Sequence, residues 1–464
     1  MNSIYRITLL AFILITGSSI ASAQGSLNNE DLAKIKSSVT FDEDTRALMN
    51  AISSNDISKL AVNRENLGKV NPYFTNKVEI QGITNQKSSG RCWLFTGLNV
   101  LRPKVIEKYN MKEFEFSQNY GFFWDQLEKS NLYLESVIAT ADIPDDDRKV
   151  DWLFKNPIGD GGQWTGVVDI VEKYGAVPAS VMPESNNSEN TRWMSRFLRR
   201  KLREDALTLR KMAAEGSEEG RLREEKINML SDIYRILVLC LGKPPTEFPW
   251  QYEDKDGNIS ELKTYTPKSF YEEMVGIDLR DYVMFMNDPT REYYKLYEIE
   301  YDRHMLEGGN WKYINLPVDE IKDFAKASII ANEAMYFSCD VGKQLESEKG
   351  MLDVNNFDYD ELFGVDFSMD KAGRIKTYDS GSSHGMSLVG VNILPDGSID
   401  KWLLENSWGE KGFEGFLIMT DEWFSEYMFR LVIHKDFLDK KTLDILDTEP
   451  VLLPPWDPMF AAEE

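Results

Sequence analysis

The chain contains only three cysteines and three histidines in 464 residues, and this scarcity restricts how it can be held together. The six residues are Cys92, Cys240, Cys339, His304, His384 and His434. Three cysteines cannot build a disulfide framework, and no metal site rich in Cys or His is expected. Since 42% of the residues are hydrophobic, we expect an apolar core instead, in one large domain or two to three subdomains.

The chain is strongly acidic, with 53 Lys and Arg against 77 Asp and Glu and a formal net charge of −24. Nucleic acid is not expected as a partner, because phosphate binding draws on clustered cations. Residues 192–211 are an exception, since they contain eight Lys or Arg and two Asp or Glu. We interpret them as the solvated face of a helix that pairs with acidic partners in an oligomer; a nucleic-acid channel is the alternative.

The N-terminus has the pattern of a signal peptide. Arg6 precedes an apolar run at residues 7–15, and small residues then lead to Ala23. Cleavage after Ala23 would release a soluble, exported protein, either periplasmic or secreted. The apolar run is too short for a stable transmembrane anchor, so no membrane association is expected after cleavage.

Apolar spacing predicts three helices in the first half of the chain. One covers residues 165–174 and ends at Gly175. A second begins near Thr191, because four apolar residues follow i, i+4 spacing with Trp193 and Phe197 beside them. The four are Met194, Leu198, Leu202 and Ala206. The third covers about 224–240.

The pattern becomes strand-like after Ser380. Strands are predicted at residues 386–391, 402–404 and 415–419, with glycine-containing turns between them. Prolines at the end of the chain, in residues 454–458, exclude regular helix and predict an extended arm.

Cys92 lies where a polar loop with Ser89 and Gly90 turns into an apolar helix. Free backbone N–H groups and the positive end of the helix dipole favour the reactive thiolate at such a position. Taken alone, the cysteine has an alternative interpretation as a small buried hydrophobic residue.

His384 and Asn406 are the residue types that a reactive thiol needs beside it. His384 lies where a turn enters an apolar strand, and Asn406 lies on a polar turn after a later strand. An Asn oxygen can accept from the His ring N–H and fix the tautomer whose other nitrogen faces the thiolate. Trp408 would then shield this hydrogen bond from water. The residues predict a Cys-His-Asn triad, although a lone histidine is usually structural.

These motifs together resemble those of the papain-like cysteine peptidases. They are Gln86, Cys92-Trp93, His384-Gly385 and Asn406-Ser407-Trp408-Gly409, in that order. The chain departs from papain in having Ser89-Gly90-Arg91 before the cysteine and 292 residues between Cys92 and His384. In both respects it is similar to the bleomycin hydrolase and aminopeptidase C branch, and the resemblance spans roughly residues 70–464. The other similar stretches are 116–120, 122–125, 160–164, 171–175, 339–343 and 455–459.

The resemblance implies a role for each catalytic position. Cys92 attacks the scissile carbonyl carbon, while His384 forms a thiolate–imidazolium pair with it and later protonates the leaving amine. Asn406 orients His384. Gln86 and the backbone N–H of Cys92 donate to the developing oxyanion. Such amide hydrolysis through a thioester implies neither a cofactor nor a metal.

The resemblance also implies substrate contacts in two places. Gly161 and Gly162 resemble a loop whose backbone pairs with the peptide, and an ordinary glycine turn is the alternative. In this branch the C-terminal arm lies in the cleft, where its carboxylate meets the substrate's amino group. We expect self-cleavage to remove Glu464, so that Ala462 and Glu463 contact the substrate.

The implied fold class is α+β, a papain-like fold with a helical half, a β-rich half, a large helical insertion and a C-terminal arm in the cleft. The implied partners are peptide substrates and further copies of the chain, in a homohexamer. The expected boundaries are 1–23 for the signal peptide, 24–70 for an N-terminal arm, 71–186 for the helical half with Cys92, 187–335 for the mainly helical insertion, 336–448 for the β-rich half with His384 and Asn406, and 449–464 for the C-terminal arm.

The resulting hypothesis is an exported cysteine aminopeptidase similar to bleomycin hydrolase. If the arm does not block the cleft, an endopeptidase or dipeptidyl peptidase is expected instead; a catalytically silent binding or scaffold protein is the non-enzymatic alternative. Cys240 and Cys339 are interpreted as structural, with a bond between them left open. His304 and His434 are interpreted as ordinary surface and strand residues.

Overall fold

A computed structural model describes residues 25–69 and 71–459, and the chain divides into two compact units between Ala61 and Val62. The described part of the first unit contains helices α1 (Asn29–Ser37), α2 (Glu43–Ser54) and α3 (Ile57–Leu60). Each begins after an Asn or Asp whose side chain accepts from a backbone N–H of the first turn, which explains where these helices start. The predicted signal peptide, residues 1–23, lies outside the described residues.

The second unit contains thirteen further α-helices within residues 62–69 and 71–459. They are α4 (Cys92–Lys108), α5 (Gln118–Ala139), α6 (Arg148–Lys155), α7 (Trp164–Tyr174), α8 (Asn186–Glu189), α9 (Arg192–Ala214), α10 (Glu219–Leu241), α11 (Pro267–Met274), α12 (Val318–Ile330), α13 (Tyr359–Phe363), α14 (Lys371–Lys376), α15 (Asp421–Tyr427) and α16 (Lys440–Leu443). In the part of the chain that the structure describes, no helix combines the length and apolar character needed to cross a membrane.

The same unit contains fourteen strands among its described residues. They are β1 (Asn76–Lys77), β2 (Phe248–Trp250), β3 (Lys263–Tyr265), β4 (Tyr282–Met286), β5 (Lys295–Ile299), β6 (Lys312–Asn315), β7 (Met335–Cys339), β8 (Leu345–Glu346), β9 (Met351–Leu352), β10 (His384–Ile393), β11 (Ile399–Glu405), β12 (Phe416–Thr420), β13 (Met428–His434) and β14 (Val451–Leu453). One sheet has the order β14-β5-β6-β4-β13-β7-β10-β11-β12-β9-β8, with β1 also paired to β10, and β2 pairs with β3 separately. The fold is therefore a mixture of helix and sheet.

Helix α4 lies at the centre of this unit. Twelve of its seventeen residues are buried, so it has no solvent face of the usual amphipathic kind. It packs against α5 and α7 on the helical side and against β10 of the sheet. Since α4 begins at Cys92 and β10 begins at His384, this packing joins the helical and sheet parts of the unit at the predicted site.

The predicted helices are confirmed, with one boundary corrected. Helix α7 ends at Gly175, whose φ of +76° is readily adopted by glycine. In α9 the four residues at i, i+4 spacing are all buried, whereas Trp193 and Phe197 are more than half exposed. Helix α10 begins at Glu219, five residues before the expected start, because its charged first turns carry no apolar stripe.

The three predicted strands are confirmed as parts of β10, β11 and β12. His434 ends β13, as a strand residue should. The range expected to be mainly helical, 187–335, also contributes β4, β5 and β6 to the large sheet. β4 pairs with β13 and β5 pairs with β14, both from the end of the chain, and β6 lies between β4 and β5. Sequence patterns do not reveal this pairing because it is non-local.

Candidate active site

Cys92 is the first residue of α4 and is half-buried in the wall of a cleft of about 740 Å³. The loop before it is closed on itself, since Ser89 Oγ donates to the carbonyl of Gln86 at 2.7 Å. The same cleft is lined by Gln86, His384, Gly161 and Gly162. The structure thus brings the predicted nucleophile, base and oxyanion donor to one cavity.

Arg91 anchors the residue before the nucleophile. Its guanidinium is fully buried and makes two parallel hydrogen bonds to the Glu184 carboxylate, at 3.0 and 2.8 Å. It also lies over the rings of Phe95 and Phe122, at 5.1 and 5.4 Å from their centroids. A planar guanidinium held on its edge and on its faces has little freedom, so it fixes the backbone from which Cys92 projects.

His384 and Asn406 make the hydrogen bond that the sequence predicts. His384 Nε2 lies 2.8 Å from Asn406 Oδ1, and the backbone N–H of Ser407 donates to the same oxygen at 2.8 Å. Because this oxygen accepts from a backbone N–H, the His384 Nε2 is the donor, and Nδ1 is left as the basic nitrogen. The ring of Trp408 stacks on His384 at 4.7 Å between centroids and covers the hydrogen bond.

Burial acts on both members of the Cys-His pair. It raises the pKa of the Cys92 thiol, while the backbone of Gly385 and Trp93 and the charge of Arg430 act in the opposite direction. Burial lowers the pKa of His384 to about 4, although the hydrogen bond that His384 donates to Asn406 acts in the opposite direction. Each group taken singly therefore favours its neutral form. The ion pair that the resemblance implies requires both charges to form together, so that each stabilises the other.

Gln86 is held in a single orientation. Its Nε2 donates to the Ser89 carbonyl at 2.7 Å, and its Oε1 accepts from Ser407 Oγ at 2.6 Å. Its backbone N–H also donates to the Ser407 carbonyl, at 2.8 Å. One Nε2 hydrogen remains for another acceptor in the cleft that Gln86 lines, which suits an oxyanion donor.

The glycine loop is fixed by its neighbour Asp160. The carboxylate of Asp160 accepts from Thr191 and from Ser195 on α9, and its carbonyl accepts from Trp93 Nε1 at 2.8 Å. Gly161 has open space where a Cβ would be, whereas a Cβ on Gly162 would overlap a histidine ring. Both glycines line the cleft, where a peptide backbone could approach them.

That ring belongs to His304, whose predicted surface position is wrong. His304 is 3% exposed and lines the cleft, with Nδ1 2.5 Å from Asp125 Oδ1 and its ring edge-on to Trp93. Burial, and next the charge of Lys129, lower the pKa of His304. No local pattern marks it, because its partners come from a helix 179 residues away in sequence.

The described part of the C-terminal arm also reaches the cleft. Strand β14 pairs with β5, and Pro455 and Met459 line the cavity. Between them, Trp456 lies under the Arg148 guanidinium at 4.3 Å, and Asp457 pairs with Arg291. The predicted substrate residues Ala462 and Glu463 lie outside the described residues.

All three cysteines are free thiols. Cys339 is fully buried in β7, directly opposite His384 in the sheet register, and Cys240 is half-buried on α10. The alternative of a disulfide between Cys240 and Cys339 is therefore wrong. Among residues 25–69 and 71–459, no group of three or more His, Cys, Asp or Glu side chains could hold a metal ion.

Several known proteins are similar to this chain over nearly its whole length. The Peptidase C1-like family matches residues 26–460. Bleomycin hydrolase from Homo sapiens is 39% identical over 454 residues, which cover 95% of this chain and 100% of that protein. Aminopeptidase C from Streptococcus thermophilus is 40% identical over 416 residues, covering 89% and 94%. The crystal structure of PepW from Lactobacillus rhamnosis matches with a TM-score of 0.91 and 39% identity, over 94% of this chain and 99% of that one.

Proposed function

The chain belongs to the Peptidase C1-like family and is a cysteine aminopeptidase, and from this premise we propose that Cys92 is its nucleophile. We assign the base to His384, its orientation to Asn406, and the side-chain oxyanion donor to Gln86. The observation that carries the assignment is the His384–Asn406 hydrogen bond beside the cleft where α4 presents Cys92.

The proposed reaction moves two protons through His384, one in each half of the reaction. Nδ1 takes the thiol proton as Cys92 Sγ attacks the scissile carbonyl carbon, and the oxyanion accepts from Gln86 Nε2 and the Cys92 backbone N–H. The imidazolium then protonates the leaving amine, and the C–N bond breaks to leave a thioester. A water molecule then gives a proton to His384 Nδ1 as it attacks the thioester carbonyl carbon. The C–S bond breaks, Cys92 Sγ recovers that proton, and the N-terminal residue is released with a free carboxyl group.

The C-terminal arm is proposed to restrict cleavage to the first residue. Pro455 and Met459 narrow the cleft, and the residues that follow them would fill its non-primed side. The new carboxylate left by removal of Glu464 would meet the substrate amine. Full activity in a preparation whose intact mass retains Glu464 would contradict this trimming step.

Peptide hydrolysis with matched substrates tests the assignment. Wild-type protein should release the first residue of a peptide with a free amino group and should process its N-acetylated form at least tenfold more slowly. Cys92→Ala should abolish both reactions, whereas Cys240→Ala, which changes a cysteine remote from the cleft lining, should retain them. Equal cleavage of the acetylated peptide would favour an endopeptidase, and a variant lacking residues 461–464 that still removes only single residues would exclude the arm model.

Export is proposed from the N-terminal sequence. Arg6, the apolar run at 7–15 and the small residues before Ala23 support cleavage there. N-terminal sequencing of protein recovered from its native host should begin at Gln24, and the protein should be found in the periplasmic or extracellular fraction. An intact Met1 in the active protein would refute the proposal.

Self-association is proposed through α9. Trp193 and Phe197 stack on one another at 6.1 Å while more than half exposed, beside the basic face of the same helix. Exposed aromatic pairs next to charge are typical of protein interfaces. Light scattering should give a multiple of the chain mass, a hexamer by the resemblance, and a Trp193→Ser, Phe197→Ser double variant should reduce it. An unchanged mass would exclude this surface as the contact.

A further inference from the structure

The cleft wall carries four charged side chains that the proposed mechanism does not use. Within the described residues, they are Lys129, Asp302, Arg303 and Arg430. Two already have partners, since Lys129 pairs with Asp125 at 2.9 Å and Asp302 accepts from Gln163 Nε2 at 2.6 Å.

The two arginines differ from these neighbours. Among residues 25–69 and 71–459, neither guanidinium has an ion pair or side-chain hydrogen bond, and the buried Nε of each lacks an acceptor. A buried N–H without an acceptor is unfavourable, so such a group is suited to a ligand that supplies one.

Arg430 lies close to the reacting atoms. In the sheet it is opposite Ser338, and Ser338 is opposite Gly385, the neighbour of His384. Two strand spacings of about 4.8 Å therefore separate the backbones of Arg430 and Gly385, and both residues line the cleft with His384. The guanidinium lies over Trp311, 4.0 Å from the ring centroid, which holds its plane in place.

The charge of the cleft also favours an anion. Three cations and one anion line it, and because Asp125 neutralises Lys129 the remaining charge is +1, in a chain whose formal net charge is −24. A guanidinium prefers a carboxylate, with which it makes charge-assisted and often paired hydrogen bonds. Asp302 reduces the positive charge without bonding to either arginine, so the site is suited to a single carboxylate.

We propose that Arg303 and Arg430 form a carboxylate-binding subsite that makes the enzyme select peptides with Asp or Glu beside the scissile bond. The selectivity rests on the peptidase function proposed above. The same chemistry has a second source, because Glu463 and Glu464 follow Met459, which lines the cleft. In that case a tail glutamate would be the carboxylate that the subsite binds before trimming.

The preference of the subsite for a carboxylate is measured with two peptides that differ only in having Glu or Gln as the first residue. Their kcat/KM ratio within one preparation is independent of the fraction of folded enzyme. We expect wild type to favour Glu by about tenfold to a hundredfold, the range for hydrogen bonds to a charged group. Arg303→Gln and Arg430→Gln should bring the ratio towards one, while Arg64→Gln, an exposed arginine outside the cleft lining, should keep the wild-type ratio.

A chain ending at Ala462 distinguishes the two sources of carboxylate. If the tail glutamates fill the subsite, wild type shows a ratio near one, and the shortened chain gains a Glu preference that Arg430→Gln removes. A ratio near one in both chains, or a Glu preference that persists in both arginine variants, overturns the proposal. Calorimetry with Cys92→Ala, in the full and shortened chains, measures the affinity for the two peptides without catalysis. A failure of the subsite proposal is thereby distinguished from a failure of the peptidase assignment.

Discussion

The oxygen of Asn406 provides the sharpest test of the proposed mechanism. It accepts from His384 Nε2 at 2.8 Å in a fully buried position, and it fixes both the tautomer and the plane of the imidazole. In Asn406→Ala the Nε2 hydrogen loses its acceptor in a site that Trp408 shields from water. An unsatisfied buried donor costs about 1–3 kcal/mol, so kcat/KM should fall by about fivefold to 150-fold.

Asn406→Asp keeps the acceptor and adds a negative charge, which makes it a test of protonation. Burial lowers the pKa of His384 to about 4, so the neutral imidazole persists as the pH falls towards that value. The acid limb of wild-type kcat/KM should therefore lie near pH 4. A carboxylate at 2.8 Å favours the imidazolium and raises the pKa of His384, so the acid limb should move upward by about 1–3 pH units.

The assay is the pH profile of kcat/KM with a fluorogenic aminoacyl substrate, together with titration of Cys92 by a thiol reagent to count active sites. Asn392→Ala is a matched control, since Asn392 lies on β10 with His384 but bonds to Asp400 in an exposed pair. Activity of Asn406→Ala within threefold of wild type would refute the orienting role. An unmoved acid limb in Asn406→Asp would refute the reasoning that a neutral imidazole is the group titrated.

Three further substitutions have outcomes set by their contacts. Glu184→Gln should lower the free energy of unfolding in urea by about 2–3 kcal/mol, because it leaves the buried Arg91 charge uncompensated. A variant with leucine at both positions should lose less stability than the sum of the losses in Arg91→Leu and Glu184→Leu. Gly162→Ala should lower stability by about 1–3 kcal/mol, since its Cβ would overlap the facing imidazole; Gly161→Ala, which meets open space, is the control, and equal Tm values would contradict the overlap. Gln86→Ala should reduce kcat by about a hundredfold with little change in KM, and a change confined to KM would argue against an oxyanion role.

Much of the local structure could be predicted from local pattern. Changes in apolar spacing or glycine turns predict the start of α4 at Cys92, the four buried residues of α9, the strand that begins at His384 and the strand that ends just before Asn406. Such signals are short-range, so they identify an element but not its neighbour. The joining of β4, β5 and β6 to the large sheet was accordingly not predicted.

The residues of the cleft also divide into those that local motifs predict and those that only tertiary contacts place there. Gln86, Cys92, His384 and Asn406 were found because each lies in a motif whose chemistry depends on adjacent residues. His304 and Arg430 have no such motif. From the sequence alone, an isolated histidine or arginine in an acidic chain is interpreted as a surface residue. Their position in the cleft depends on tertiary contacts, since His304 packs against Trp93 and Arg430 lies over Trp311.

The scarcity of cysteine and histidine, together with the motifs around Cys92, His384 and Asn406, is what the sequence by itself determined: a thiol peptidase without a disulfide framework. Only the tertiary structure determines the pKa values of the two reacting groups. Burial depends on every element packed around a side chain, and it moves the pKa of Cys92 upward and that of His384 down to about 4. Arg303 and Arg430, which have no ion pair among the described residues, have the same origin, because a missing counter-charge is a property of the assembled cavity and not of any stretch of chain.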